Sequence, residues 1–403
     1  MTTLDRISQP SDRIVSAVQD RSRIHGWTHN FYRYPARFSP TFARSVIEAY
    51  SDPGDWVIDP FVGGGTTLVE AMVLGRNSLG IDVSALATFI CRAKTLMMSD
   101  QDIRSFESWQ SSIPKVINMK SQGNHFDSYA RAGYYRNIDG IAYWRIRKAI
   151  EQSLSAALGL RSSESEILAR CTVLRTAQWA LDGRKTIPSV SEFREKMSVL
   201  AKEMIQAAKA LRDRVEQQSG NTQPLCINLH RNTAGAHEDA SVRQAASPKL
   251  ILTSPPYPGI HMLYHRWQID GRREAPAPFW IAGELDGLGS SYYTMGDRKH
   301  PGLKTYFDQL EASFHSVAAM AGPDTTIVQV VAFSDAKWQL PRYLEVMDHC
   351  GLVEDYPWKH SDGDGRLWRD VPNRKWYTLH KSHSPGSREV VLVHQKRRSS
   401  DTF

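Results

Sequence analysis

Two rhythms of apolar positions alternate along this chain and outline a sheet interrupted by helices. Short continuous apolar runs read as strands: Trp56-Val57-Ile58, Ser78-Leu79-Gly80-Ile81, Leu225 to Leu229, Leu250-Ile251-Leu252-Thr253, Thr326 to Ala332 and Glu389 to His394. Between them the spacing predicts helices from Thr66 to Leu74, closed by Gly75, from Thr305 to Met320, and from Pro341 to Cys350, stopped by Gly351. The first strand ends in Asp59-Pro60-Phe61-Val62-Gly63-Gly64-Gly65-Thr66-Thr67, and the second ends in Asp82. Strand, glycine-rich turn, helix, strand, acid is the opening of a doubly wound parallel α/β sheet of the Rossmann kind, with helices on both faces.

The middle of the chain follows a different rhythm. From Ser189 to Gln218 the residues Phe193, Met197, Leu200, Met204, Ile205, Ala208 and Leu211 recur at helical spacing. Few strand signals occur between Ala93 and Thr222. The segment from Cys91 to Thr222 holds 21 Lys and Arg against 14 Asp and Glu. The expected organisation is an N-terminal part of the sheet domain at 1–93, a mostly helical insertion at 94–222, and the rest of the sheet domain at 223–403.

Composition narrows the class. The 403 residues, 41% hydrophobic and 23% charged, suit a soluble globular chain, and no apolar run reaches the length of a bilayer span. Met1 to Gln19 carries Asp5, Arg6, Asp12 and Arg13 with no apolar core, unlike a secretory signal. Cys91, Cys171, Cys226 and Cys350 form no CxxC pair, so reduced thiols in a cytoplasmic protein are expected, with no metal site. The net charge of +7 favours polyanionic partners through counterion release.

The glycine turn carries the first candidate chemistry. Consecutive glycines after a buried strand allow a sharp turn and leave room for a ligand, and the following helix aims free N–H groups at that space. Neither GxGxxG nor GxxxxGK[ST] is matched, and no lysine follows the glycines to meet a phosphate. Asp82 is placed to accept from two ribose hydroxyls. A ribose acid without phosphate ligands fits an adenosyl cofactor that carries an amino acid; a tight turn without a ligand is the alternative.

The second candidate is Thr253-Ser254-Pro255-Pro256-Tyr257. A polar residue at a strand end followed by two prolines makes a rigid extended turn beside an aromatic ring, at the sheet edge where ligands bind. That set suits methylation of an exocyclic amino group. The lone pair of such a nitrogen is delocalised into the ring, and acceptors on its two N–H groups localise it. Positioning and electrostatics then carry the catalysis. The Ser254 hydroxyl and the Pro255 carbonyl are expected to face the amino group, and the Tyr257 ring to stack on a base flipped out of its duplex. A plain proline-rich loop is the alternative.

Asp59 to Thr67 resembles motif I (DPFxGxGTT) of the amino-group DNA methyltransferases, which act on cytosine N4 and adenine N6. Thr253 to Tyr257 resembles their motif IV, (D/N/S)PP(Y/F/W), and His29 to Pro40 resembles motif X. The resemblance implies a class I methyltransferase sheet and S-adenosylmethionine as cofactor. By it, Asp59, Pro60, Phe61, Gly63, Gly65 and Thr66 line the pocket, Asp82 holds the ribose, and Tyr34, Pro35 and Phe38 add contacts. Serine at the first motif IV position is similar to cytosine-N4 members. The resemblance therefore implies a site-specific cytosine-N4 DNA methyltransferase of a restriction–modification or defence system, with a cognate endonuclease as possible partner. Adenine N6 and an RNA base are the alternatives. The order X, I, insertion, IV resembles the family's alpha arrangement, with the target-recognition region between the catalytic halves; Asp239 is a weak candidate for a motif III acid.

Three segments mix basic and aromatic residues and are candidate DNA contacts: Arg131 to Lys148, His261 to Arg273, and Trp358 to Lys381. The second is preferred because it follows Tyr257. Each can equally be a solvated basic face with core aromatics. His261 and His265 stand at i and i+4, but no third ligand has suitable spacing.

Overall fold

The computed structural model describes residues 10–20, 22, 25–34, 39–122, 126–219, 222–245, 247–259, 266–269, 271, 273–285, 290–296, 301–358, 363–370 and 388–398. Its strands are β1 (Trp56–Asp59), β2 (Asn77–Asp82), β3 (Cys226–His230), β4 (Leu250–Thr253), β5 (Trp267–Ile269), β6 (Arg273–Ala275), β7 (Thr326–Ala332), β8 (Leu352–Asp355), β9 (Leu367–Asp370) and β10 (Arg388–Lys396). The main sheet runs β3-β2-β1-β4-β7-β10-β8, with β9 also pairing β10. The pairs β3–β2, β2–β1, β1–β4 and β4–β7 are parallel, and β10 is antiparallel to β7, β8 and β9. Strand order reverses between β1 and β4, so the carboxyl ends of these two neighbours flank the switch point, where open α/β sheets bind ligands.

The central strands are buried at nearly every position because both faces are covered, and successive side chains point into opposite cores. Val57, Leu250, Leu252, Val328, Val330, Val391 and Val393 face one core, closed by α1 (Pro10–Gln19), α2 (Pro40–Tyr50) and the end of α3 (Thr66–Val73). Ile58, Leu79, Ile81, Ile251, Ile327, Val331, Val390 and Leu392 face the other. That face is covered by α10 (Ala240–Gln244), α13 (Lys304–Met320) and α14 (Ala336–His349). The continuous apolar runs thus mark buried strands of a doubly wound sheet. The expected doubly wound, Rossmann-like sheet with helices on both faces is present.

After α4 (Ala85–Lys94) the chain passes through α5 (Asp100–Val116), α6 (Asp127–Arg131), α7 (Trp144–Leu158), α8 (Ser163–Leu181) and α9 (Val190–Ser219) before it re-enters the sheet at β3. Helix α8 lies at the centre of this bundle, buried nearly all round, and packs on α4, α5, α7 and α9. The bundle core continues into Tyr32, Tyr34, Trp267, Ile269, Phe279 and Trp280, which joins it to the loop before α2 and to the β5–β6 hairpin with α11 (Ala277–Ala282). A four-residue helix, α12 (Ser290–Tyr293), precedes α13.

Several boundaries differ from the sequence expectation. Helix α14 begins at Ala336, not Pro341, because the Asp335 side chain accepts from the Lys337 N–H and caps it. Strands β5, β6, β8 and β9 were not expected; each is only three or four residues long.

Candidate active site

The glycine turn follows from the strand that feeds it. β1 carries its apolar run into the core and ends on Asp59, which is 1% exposed. Its carboxylate accepts from Thr67 Oγ1 at 2.7 Å, from Thr253 Oγ1 at 2.9 Å and from the Phe61 N–H at 3.2 Å. Thr67 lies in the first turn of α3 and Thr253 ends β4, so Asp59 braces the glycine turn to the serine–proline corner. Burial pushes the Asp59 carboxyl up to about 7, against the pull of the Thr67 and Thr253 hydroxyls.

Gly63 and Gly65 both have left-handed φ, +46° and +73°. Gly65 also has no room for a side chain: a Cβ there would lie 2.9 Å from Cys91 Sγ. The turn is fastened to β2. The Val62 N–H donates to the Ile81 carbonyl at 3.0 Å, and the Gly63 N–H donates to Asp82 Oδ2 at 2.9 Å. Asp82 Oδ1 accepts from the Ser84 N–H at 2.8 Å. Burial pushes the Asp82 carboxyl up, while the Ser84 and Gly63 N–H groups pull it down. Pro60 is held through its carbonyl, which accepts from Thr233 Oγ1 at 2.5 Å. The Phe61 ring stacks on Phe314, with centroids 6.4 Å apart. Thr66 is buried at the start of α3.

The stretch before α2 meets the same turn. The Tyr34 ring lies against Gly63, where an added Cβ would come within 3.3 Å of Tyr34 Cε1. Pro35 and Phe38 lie outside the described residues. On either side of them, His29 Nε2 is 2.7 Å from Glu70 Oε1, and Arg44 Nε donates to Glu70 Oε2 at 2.8 Å. Glu70 is a buried residue of α3. Behind the turn, the buried Lys94 ammonium donates to the Gly64 carbonyl at 2.6 Å.

The serine–proline corner sits at the end of β4, beside β1. The Ser254 hydroxyl lies 2.9 Å from the Val330 carbonyl and 3.0 Å from the Tyr257 hydroxyl. The Tyr257 hydroxyl donates to Glu389 Oε1 at 2.8 Å, so the single Ser254 proton has protein acceptors and the Ser254 oxygen keeps lone pairs for a donor. The Pro256 carbonyl accepts from Tyr306 Oη at 2.7 Å. Pro255 is buried and Pro256 partly so. Glu389 also accepts from Arg369 Nε at 2.7 Å.

All the described residues expected at the site therefore collect at one edge of the sheet. Tyr34, Asp59, Pro60, Phe61, Gly63, Gly65, Thr66 and Asp82 gather around the carboxyl ends of β1 and β2, and Ser254, Pro255, Pro256 and Tyr257 follow β4. Tyr257 is 6% exposed, with its hydroxyl anchored inward, so it is held more deeply than a freely presented stacking ring. Thr253 and Glu389 escaped the sequence reading as site residues. A polar residue closing the apolar run of β4, and an acid opening the apolar run of β10, are the signals that single them out.

The basic–aromatic segments divide differently from expectation. Trp267 is 1% exposed and donates from Nε1 to Tyr32 Oη at 2.9 Å; it is core, which removes it as a DNA contact. His261, Tyr264, His265 and Arg272 lie outside the described residues, as do Arg374, Lys375, Trp376 and Tyr377. Arg366 is paired with Glu354, and Arg369 with Glu389. In the first segment Tyr134 and Tyr135 are buried, whereas Arg131, Arg136, Trp144 and Arg145 are exposed. Asp239 caps α10 and pairs with Arg231 at 2.8 Å. Among the described residues no cluster of His, Cys, Asp or Glu could hold a metal ion, and no helix is long and apolar enough to cross a membrane.

Residues 4–87 match a family model described as DNA methylase. The chain is 39% identical over 81 residues to the Type II methyltransferase M.MjaII of Methanocaldococcus jannaschii, a match covering 20% of this chain and 14% of that protein. It is 25% identical over 145 residues to the Type II methyltransferase M.MvaI of Kocuria varians, covering 33% of this chain and 31% of that one. A third similarity, 30% over 73 residues, is to the DNA adenine methyltransferase YhdJ of Escherichia coli, covering 18% and 25%. The matched region thus spans less than a third of the length of the first two relatives.

Proposed function

We propose that this protein transfers a methyl group from S-adenosylmethionine to the exocyclic N4 of cytosine in DNA, as the modification enzyme of a restriction–modification or defence system. The observation that carries the reading is the shared brace. The Asp59 carboxylate accepts from Thr67 behind the glycine turn and from Thr253 ahead of Ser254, so both corners open on the same edge. The family match over residues 4–87 and the similarity to Type II methyltransferases support the reaction class.

The residues fit the cofactor. The left-handed Gly63 and Gly65 keep side chains out of the turn, and Asp82 retains lone pairs beyond those used by Gly63 and Ser84 for ribose hydroxyls. An acid there opposes a diphosphate, and the buried Lys94 faces the Gly64 carbonyl. When bound, S-adenosylmethionine supplies an electrophilic methyl group on sulfur. Ser254 Oγ and the Pro255 carbonyl accept from the two amino N–H groups of the base and localise the nitrogen lone pair. Tyr257, fixed by Glu389, packs against the base and holds its plane. No strong base is needed, because the nitrogen becomes cationic as it gains the methyl group and then gives up its proton to solvent water. Preorganised acceptors in a water-poor corner carry the rate. Asp59 acts as the brace between corners.

Adenine N6 is the second reading, favoured by the similarity to the E. coli adenine methyltransferase. The test uses the full chain, tritiated cofactor and mixed-sequence duplex DNA, with an RNA competitor and nucleoside analysis of the product. Label in N4-methylcytosine is the expected result. Label in N6-methyladenine selects the second reading. No label in DNA, under conditions where the cofactor binds, overturns both.

A further inference from the structure

Among the described residues, the large apolar side chain exposed most is Ile141, at 89%. It stands in the turn between Ile138, which is buried, and α7. Around it Arg136, Asp139, Gly140, Ala142, Trp144 and Arg145 are all exposed, and the Arg145 guanidinium lies over the Trp144 ring, 5.3 Å from its centroid. Between Arg131 and Lys148 the chain has five basic residues (Arg131, Arg136, Arg145, Arg147 and Lys148) and one acid, Asp139. Among the described residues neither Arg136 nor Arg145 takes part in an ion pair.

This turn is built stiff. The Tyr135 hydroxyl donates to Glu151 at 2.8 Å, and its ring packs against Trp280 with centroids 5.0 Å apart. Asn137, itself left-handed at φ +68°, donates from Nδ2 to the Glu274 carbonyl of β6 at 2.9 Å. Arg147 Nη1 donates to the Ile138 carbonyl at 2.9 Å. The same scaffold reaches the active site: β6 pairs β5, Trp267 of β5 bonds Tyr32, and Tyr34 lies on Gly63.

A rigid turn that holds an isoleucine in water between arginines needs an apolar slot bordered by anions. A base stack flanked by two phosphate chains is such a slot, and aliphatic side chains entering a base step partly unstack it. We infer that the turn from Asp139 to Tyr143 opens the duplex: Ile141 enters the base stack beside the target nucleotide, while Trp144, Arg136 and Arg145 lie against the adjoining sugar–phosphate backbone. The inference rests on the DNA methyltransferase reading and adds to it the element that meets the cost of extruding the base, a cost smallest where the base is already unpaired.

The experiment compares the full-length wild type with Ile141→Ala and, as a control, Val199→Ala on the exposed side of α9. Each is assayed for methyl transfer to a duplex carrying the methylated context, and to the same duplex with an abasic nucleotide opposite the target. Ile141→Ala is expected to lower kcat/KM on the paired duplex by about tenfold, to recover to within about twofold of wild type on the abasic duplex, and to leave cofactor binding unchanged. Val199→Ala is expected to match wild type on both. Equal activity of Ile141→Ala and wild type on the paired duplex overturns the inference, as does an equal loss on both duplexes. A wild type that binds cofactor but methylates neither duplex overturns the functional reading itself, a result distinct from either.

Discussion

Thr253 Oγ1 lies 2.9 Å from Asp59 Oδ1, and this one hydrogen bond joins two corners separated by nearly half the chain. It is buried, and Asp59 is only 1% exposed. Thr253→Val keeps the shape and deletes the donor, leaving the carboxylate short of a partner at a cost of about 1–3 kcal/mol. The expected outcome is a lower unfolding midpoint in denaturant, with a fall in kcat larger than any change in cofactor affinity. A variant as stable and as active as wild type would show that the brace is dispensable.

Asp59 also makes stability depend on pH. Its folded value of about 7 lies above the ordinary 3.8. Between those values the folded chain binds more protons than the unfolded chain, so this group's contribution to stability falls as pH rises through the window and is flat above it. Asp59→Asn cannot titrate. The unfolding free energy of wild type minus that of the variant is therefore expected to decline from about pH 4 to about pH 7. A difference that stays constant would mean that the carboxyl keeps an ordinary value.

Much of this site was legible beforehand, because its chemistry is local in the chain. Glycines that need left-handed φ, an acid at a strand end and two consecutive prolines are written in adjacent residues. The partners that hold them are not: Glu389 reaches Tyr257 from 132 residues away, and Thr253 reaches Asp59 from 194. Trp267 looked like part of a basic, DNA-facing segment because its neighbours are polar, yet packing against Tyr32 and the helical bundle buries it. Strands β8 and β9 were missed for a related reason. Leu352-Val353-Glu354-Asp355 and Leu367-Trp368-Arg369-Asp370 carry charges that blur the apolar pattern, and two of these are met only in the fold: Glu354 by Arg366, just ahead of β9, and Arg369 by Glu389 of β10.

For Asp82, two backbone N–H groups already occupy part of the carboxylate. Asp82→Asn keeps one of the two oxygens that accept from Gly63 and Ser84, gives up the other bond, and removes the charge from the remaining lone pairs. Calorimetry should show S-adenosylmethionine binding weakened about tenfold, or about 1.4 kcal/mol, with circular dichroism unchanged. Unaltered affinity would remove Asp82 from the ribose role.

Tyr257 separates ring from hydroxyl. Tyr257→Phe keeps the apolar surface and gives up the bonds to Ser254 and Glu389, while the Glu389–Arg369 pair survives; methyl transfer is expected to stay within about fivefold of wild type. Tyr257→Ala should cost about a hundredfold or more in kcat, since the platform for the base is gone. Equal losses in the two variants would assign the work to the hydroxyl.

The strand that comes last in sequence, β10, does not lie at the margin of the sheet: it sits between β7 and β8 and pairs with β9 as well. During synthesis the hydrogen-bonding edge of β7, with Val328, Val330 and Val331 along it, therefore stays open until β10 has also been made and released, well after β7 itself. An open apolar strand edge is a template for association with other chains. Expression yield should accordingly respond to temperature and to chaperone supply more than the finished molecule's stability would suggest, and a premature stop anywhere upstream of Arg388 should give aggregates instead of a shortened but working protein.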